Sequence, residues 1–306
     1  MGFNKQTNSF ATMDGIGFIG LGQMGGKMVE NLISHGVKVF VYDKNENLKD
    51  YYQKLGASFE ENPKKLTKKI DKLFLCLPFK PQIDEVLFGV NGVIHSARKD
   101  LLIIDMSTIY FSDAQALKER LTLNNVRYCD SPISGLPIRA QNGTLTIMFG
   151  GSECEYQEVL PFLNLLGEFV IHCGECGFGQ MMKAYNNIVY NINIAAISEI
   201  FPLAVKSGLR PKALERIFVS GSSRSFASEY FIPKMMKREF SDDYLMQDAF
   251  KDIENVREAS SNIDGDKPLL NAMIKTYLDA LEMGFGKSSK SAMLKVYEKR
   301  YRVKIS

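Results

Sequence analysis

Histidine is scarce in this chain, with three in 306 residues. A histidine-centred mechanism would have to use His35, His95 or His172, and none of them stands in a recognisable motif. Cysteine is sparse as well: five in a chain of this size give no disulfide framework, and an intracellular setting would keep them reduced. Cys173 and Cys176 form a lone CxxC beside His172, but no second pair at zinc spacing follows. A structural role is expected for them, and no metal. A large excess of either charge is missing: 38 basic against 35 acidic residues leave a net +3, which argues against nucleic acid or an anionic membrane as partner. The densest basic stretch, KKLTKKIDK from Lys64 to Lys72, reads as a solvated helix face.

Targeting signals are missing too. Residues 1 to 13 lack a basic start followed by an apolar run, and Gln6 stands where N-myristoylation needs Ser or Thr. They are expected to be a disordered tail. The most apolar stretch, Ile188 to Val205, is interrupted by Asn191, Asn193, Ser198 and Glu199, which suits a helix buried in protein rather than in lipid. A soluble, cytoplasmic chain without internal repeats follows as the expectation.

What is present is a large apolar fraction, 45%, and enough length for two domains. Short β-branched or apolar runs alternate with amphipathic stretches over residues 14–176. The runs are Ile16 to Ile19, Val37 to Tyr42, Lys72 to Leu77, Leu101 to Asp105, Val126 to Asp130, Leu145 to Phe149 and Glu168 to His172. This pattern predicts an α/β domain with a mostly parallel, doubly wound sheet. From residue 177 to 306 the period is helical, with breaks at Gly208 to Pro211, around Gly221, at Pro233 and at Gly265 to Pro268. An all-helical second domain is expected, joined through the helix that follows Gly174 to Gly179.

Gly20, Gly22 and Gly25 form a GxGxxG that follows one of these strands and opens a helix. The first glycine permits the tight turn, the second lets the backbone approach a pyrophosphate, and the third lets helix and strand pack closely. Asp43 ends the second strand 18 positions after Gly25, where a carboxylate accepts hydrogen bonds from an adenosine ribose and repels a 2′-phosphate. NAD is therefore favoured, with NADP left open because Lys44 is adjacent.

Lys183 and Asn187 lie one helical turn apart in GFGQMMKAYNN. Residues at i and i+4 share a helix face, about 5–6 Å apart. A proton carrier beside a neutral hydrogen-bonding anchor is what a hydroxyl undergoing oxidation requires. A free lysine, with pKa about 10.4, is mostly protonated at neutral pH; partial burial and a positive ring nearby would lower that value and let it act in both directions. Ser134-Gly135 followed by Gly143-Thr144 reads as a loop exposing amide donors to an anion.

Taken together, GFIGLGQMG, DMST, DSPISGLPIRAQNGTL, GFGQMMKAYNN and FKD resemble the β-hydroxyacid dehydrogenases in order and spacing over nearly the whole chain. The resemblance implies a Rossmann domain, a long interdomain helix, a helical C-terminal domain, a small carboxylate substrate and a homodimer or homotetramer. It implies that Ser134 and Gly135 bind the substrate carboxylate, that Lys183 is catalytic and that Asn187 holds the substrate. Gln23 and Met24 in the glycine loop, Leu77 and Pro78, Thr108, Tyr244 and Lys251 join Gly20, Gly22, Gly25 and Asp43 in the cofactor-binding set.

Three departures qualify the substrate more than the chemistry. Leu136-Pro137 replaces a second glycine after the Ser-Gly pair, Arg139 is expected to face solvent rather than a second acidic group, and Ser289 stands where relatives often carry aspartate. The expected function is NAD(P)-dependent oxidoreduction of a small 3-hydroxy acid or its semialdehyde. The alternatives are an NADPH-dependent semialdehyde reductase of succinic or glyoxylic type, and a non-catalytic dinucleotide-binding scaffold.

Overall fold

The computed structural model describes residues 15–241 and 245–305. The tail over residues 1 to 13 and Tyr244 lie outside the described residues, as does the side chain of Lys251. Contacts divide the chain into two units, the first ending at Lys183 and the second starting at Ala184. The sequence had put the boundary at 176/177. The division instead falls inside the helix Phe178–Lys206, whose first turn hydrogen-bonds to the first unit's strands and loops.

Among the described residues nine strands form the sheet of the first unit: β1 Ile16–Ile19, β2 Val39–Tyr42, β3 Ser58–Phe59, β4 Lys72–Leu75, β5 Leu102–Asp105, β6 Arg127–Asp130, β7 Ile133–Ser134, β8 Leu145–Gly150 and β9 Gly167–Gly174. Their order is β3-β2-β1-β4-β5-β6-β8-β7, with β9 on β8. The first six are parallel; β8 runs antiparallel to β6 and β7, and parallel to β9. The doubly wound expectation holds, and its cause is visible in the alternation of side chains. Ile16, Phe18, Phe74, Leu102 and Ile104 pack on one face with Met28, Val29 and Leu32 of helix Gly25–Ser34 and Phe162 and Leu163 of helix Glu153–Leu166. Ile19, Leu73, Leu75, Leu101 and Ile103 pack on the other with Ile83, Leu87, Leu117 and Leu121. With a period of two, continuous apolar strands bury both faces, as a parallel sheet between helices demands.

The second unit is helical: the rest of Phe178–Lys206, then Pro211–Ser220, Phe226–Lys237, Ala249–Ala259, Pro268–Glu282 and Leu294–Tyr301. The long helix is apolar enough to cross a membrane by length and composition, yet Ile188, Ile194, Ile197 and Phe201 are core residues packed with Phe231, Ile232, Tyr277 and Leu294. Pro211 and Pro268 sit at helix starts, where a missing N–H costs nothing. Pro233, expected to break a helix, lies inside Phe226–Lys237. Its helix carries the loss of one backbone hydrogen bond because Phe231, Ile232 and Met235 on either side are buried.

Candidate active site

Between β1 and helix Gly25–Ser34 the three glycines divide into two roles. Gly20 has φ +99°, and a Cβ there would stand 2.2 Å from the Cys76 carbonyl oxygen. A Cβ on Gly25 would stand 1.9 Å from the Gly20 oxygen, whereas one on Gly22 would meet nothing within 4 Å. Gly20 and Gly25 thus close the turn, and Gly22 keeps its outer side open. Gln23 is exposed and Met24 half-buried at the helix start. Met24 offers no side-chain cap and the first turn has no acid, which leaves amide donors suited to an anion.

Asp43 fixes this loop. Its Oδ2 accepts the Leu21 N–H at 2.7 Å and its Oδ1 the Asn45 N–H at 2.8 Å. Beside it opens a cavity of about 500 Å³ whose lining includes Tyr42, Asp43, Lys44, Phe59 and Asn62. The turn, the open glycine, the uncapped helix and this hollow fit a dinucleotide laid across the carboxyl ends of the strands.

Leu77 and Pro78 follow β4, and Thr108 follows β5, on that same edge of the sheet. The Leu77 N–H donates to Ser107 Oγ at 2.9 Å, and the Ser107 N–H to Asp105 Oδ1 at 2.9 Å, so the two loops are tied together next to Thr108.

Ser134 lies on β7 opposite Thr146 of β8, half-buried. Gly135 has φ +146°, and a Cβ on it would come 3.3 Å from Arg139 Cβ and 3.4 Å from Arg139 Cδ. Arg139, expected in solvent, is half-buried. Its guanidinium donates to the Thr144 carbonyl, while Thr144 donates through its backbone N–H to the Arg139 carbonyl at 2.9 Å. The side chain is folded onto its own loop, flush against Gly135. Pro137 begins the short helix Pro137–Gln141 that carries Arg139.

Lys183 and Asn187 are both half-buried on the one long helix, four residues apart. Asn187 Nδ2 donates to Asp252 Oδ1 at 2.9 Å, and Asn187 Oδ1 accepts from Asn186 Nδ2 at 3.3 Å. Asp252 is buried and belongs to the FKD motif, in which only Lys251 was assigned a role. Ser289, one of the departures named in the sequence, is fully buried and its Oγ caps the turn at Ser291.

The start of that helix carries two more polar groups that sequence reasoning passed over. Asp130, at the end of β6, is fully buried, and its carboxyl is pushed up to about 7 by desolvation against the pull of the Gly177 and Gln180 backbone N–H groups, with Asp105 adding repulsion. Gln180 is also fully buried. An acid closing a strand of the sheet, as Asp105 closes β5 and Asp130 closes β6, was the available signal.

With this geometry in hand, residues 15–174 match the family described as the NAD binding domain of 6-phosphogluconate dehydrogenase, about half of the chain. The chain belongs to the β-hydroxyacid dehydrogenase family. The second family match, over residues 177–297, is described as the NAD-binding region of NADP-dependent 3-hydroxyisobutyrate dehydrogenase. Among relatives of this β-hydroxyacid dehydrogenase, 2-(hydroxymethyl)glutarate dehydrogenase of Eubacterium barkeri is 32% identical, over 95% of this chain and 97% of the relative. The mitochondrial 3-hydroxyisobutyrate dehydrogenase of Mus musculus is 33% identical, over 74% of this chain and 68% of its own. A solved structure of Mycobacterium tuberculosis 3-hydroxyisobutyrate dehydrogenase with L-serine superposes at TM-score 0.81, with 26% identity and coverage of 92% and 98%. As a member of the family the protein is an NAD(P)-dependent oxidoreductase of the 3-hydroxyacid dehydrogenase type.

Proposed function

We propose that this dehydrogenase interconverts a small 3-hydroxy acid and its semialdehyde with NAD as the preferred cofactor, and that Lys183 is its general acid and base. The observation that carries the reading is the Lys183 and Asn187 pair on one helix, with the Asn187 carboxamide oriented by Asp252. With one amide proton given to Asp252, Asn187 keeps the other for a substrate oxygen. Ser134 through its hydroxyl and Gly135 through its N–H hold the carboxylate. Lys183 accepts the hydroxyl proton in oxidation and returns it in reduction. The cofactor, when bound, supplies the hydride acceptor or donor. Gly20, Gly22, Gln23, Met24 and Gly25 hold its phosphates, Asp43 its ribose, and Leu77, Pro78, Thr108, Tyr244 and Lys251 the remainder. Asp43, fixed to the loop by the Leu21 and Asn45 N–H groups, disfavours a 2′-phosphate.

Arg139 supports a second reading of the substrate. Arg139 packs its aliphatic carbons beside Gly135 and its guanidinium on the Thr144 carbonyl of the same loop; a cation on that loop suits a substrate with a second carboxylate, and the Eubacterium barkeri relative is named for a glutarate, a dicarboxylate.

A spectrophotometric screen of NAD and NADP over hydroxy acids and C3 to C5 semialdehydes tests both. NAD is expected to be preferred about tenfold or more, an effect of roughly 1.4 kcal/mol. For dicarboxylic substrates, Arg139→Ala is expected to raise KM about tenfold and to spare monocarboxylic ones. Equal use of NADP overturns the cofactor assignment; binding of NADH without turnover of any substrate leaves a scaffold.

We also propose a cytoplasmic homodimer or homotetramer. The exposed apolar side chains Val189, Ile200 and Leu203 along the long helix support an association surface. Light scattering of the purified protein checks this, and a monomer at micromolar concentration refutes it.

A further inference from the structure

We propose that Asp130 and Gln180 are positioning residues that lock the first turn of the long helix to the carboxyl edge of the sheet and so aim Lys183. The proposal rests on the assignment of Lys183 made above.

The lock has two halves. Asp130 closes β6 and spends each carboxylate oxygen on the helix start: Oδ1 accepts the Gly177 N–H, and Oδ2 accepts the Gln180 N–H at 2.7 Å. These are amides with no carbonyl partner inside the helix, and Asp130 supplies one from a different element. The fit is close on both sides. A Cβ on Gly150 would come 2.4 Å from Oδ1, and one on Gly179 would come 2.7 Å from Oδ2. A longer acid has no room there.

Gln180 supplies the other half from the helix itself. Its Nε2 donates to the Ser107 carbonyl at 2.8 Å and its Oε1 accepts the Ile109 N–H at 3.1 Å. The carboxamide therefore brackets Thr108 from both sides, in the loop after β5. That loop is tied to the β4 loop by the Leu77 to Ser107 bond at 2.9 Å. The helix start is thus fastened to the ends of three adjacent strands, β4, β5 and β6, on the edge where the cofactor is proposed to lie.

Lys183 follows Gln180 by three residues and shares its side of the helix. A helix start that slid or rotated would carry the ammonium with it, and misplacement of a reacting group by about 1 Å costs on the order of a hundredfold in rate. Full burial of both side chains with paired hydrogen bonds removes that freedom. A packing role alone would be met by apolar side chains of equal volume, without the buried polar groups.

A double-mutant cycle tests this. Asp130→Asn keeps one acceptor and loses the other; Gln180→Met keeps the volume and loses both bonds. Each is made alone and on Lys183→Ala, and kcat, KM and NADH affinity are measured with thermal unfolding. In the Lys183 protein, either variant is expected to lower kcat about tenfold or more, with KM and NADH affinity held within about twofold. On Lys183→Ala the same changes are expected to lower kcat by less than about twofold, because no proton carrier remains to be aimed. Equal losses in both backgrounds overturn the proposal, as does an unchanged kcat in the folded variants. If Asp130→Asn does not fold, Gln180→Met decides. Near-normal turnover of Lys183→Ala by itself refutes the lysine assignment and leaves the lock without its target; a dead Lys183→Ala with a fully active Gln180→Met refutes the lock alone.

Discussion

Lys183→Ala is expected to lower kcat at least a hundredfold, with NAD affinity changed by less than about twofold. A positioned acid or base contributes about 10²–10⁴ in rate, so a hundredfold loss, about 2.7 kcal/mol in the barrier, is the lower end of what proton transfer supplies. The substitution keeps the helix: position 183 is the sixth residue of Phe178–Lys206, alanine is the best helix former, and the neighbouring Ala184 and Ile188 already hold the core. A loss of turnover therefore cannot be charged to unfolding, which a melting curve checks. Lys183→Arg separates proton transfer from charge. Arginine keeps the cation and the reach but holds its proton throughout the working pH range, so it is expected to fail almost as badly as alanine. Activity of the arginine variant near that of the parent would show that Lys183 acts as a fixed charge, and activity of the alanine variant would remove it from the chemistry.

Much of this architecture was legible in the sequence, for identifiable reasons. β1, β4, β5 and β8 are largely apolar on both faces, so they stand out as runs. β3 and β7 have two residues each, too few to show any period. Strand ends were missed where a backbone group left the ladder. Val37, read as strand, donates its N–H to Leu32 to close the preceding helix, and Leu77 gives its N–H to Ser107 Oγ. The lysine-rich stretch, read as one helix face, is split: the helix ends at Thr67 and Lys72 begins β4.

The residues proposed for the site could be picked out of the sequence because their spacing is local. Gly20, Gly22, Gly25 and Asp43 belong to one βαβ unit, and Lys183 with Asn187 to one helix. Asp130, Gln180 and Asp252 could not be, because each acquires its meaning from a partner far along the chain. Gly177 arrives 47 residues after Asp130, Ser107 stands 73 before Gln180, and Asp252 meets Asn187 across 65. A buried polar side chain in an apolar strand announces that some partner exists; it does not say which.

The three glycines of the loop, identical in the motif, are expected to respond to alanine in opposite ways. In Gly25→Ala the added carbon would stand 1.9 Å from the Gly20 carbonyl oxygen. Both atoms belong to the backbone framework, so no side chain can turn aside, and β1 and the helix must separate. Overpacking of this kind costs about 1–3 kcal/mol, which for a unit of this size lowers the melting temperature by about 2–4 °C per kcal/mol. Gly20→Ala adds strain at φ +99° to a 2.2 Å approach to the Cys76 oxygen and should behave alike. In both, cofactor affinity is lost together with stability. Gly22→Ala meets nothing within 4 Å and its φ is not positive, so the fold should melt within about 1 °C of the parent. On the proposed cofactor placement its methyl group occupies pyrophosphate space, and NADH affinity is expected to fall about tenfold, roughly 1.4 kcal/mol. Fluorescence titration with NADH and calorimetry on the three variants separate these effects. Undiminished NADH binding by a stable Gly22→Ala would mean that the open side of the loop does not face the cofactor, whatever the sequence motif suggests.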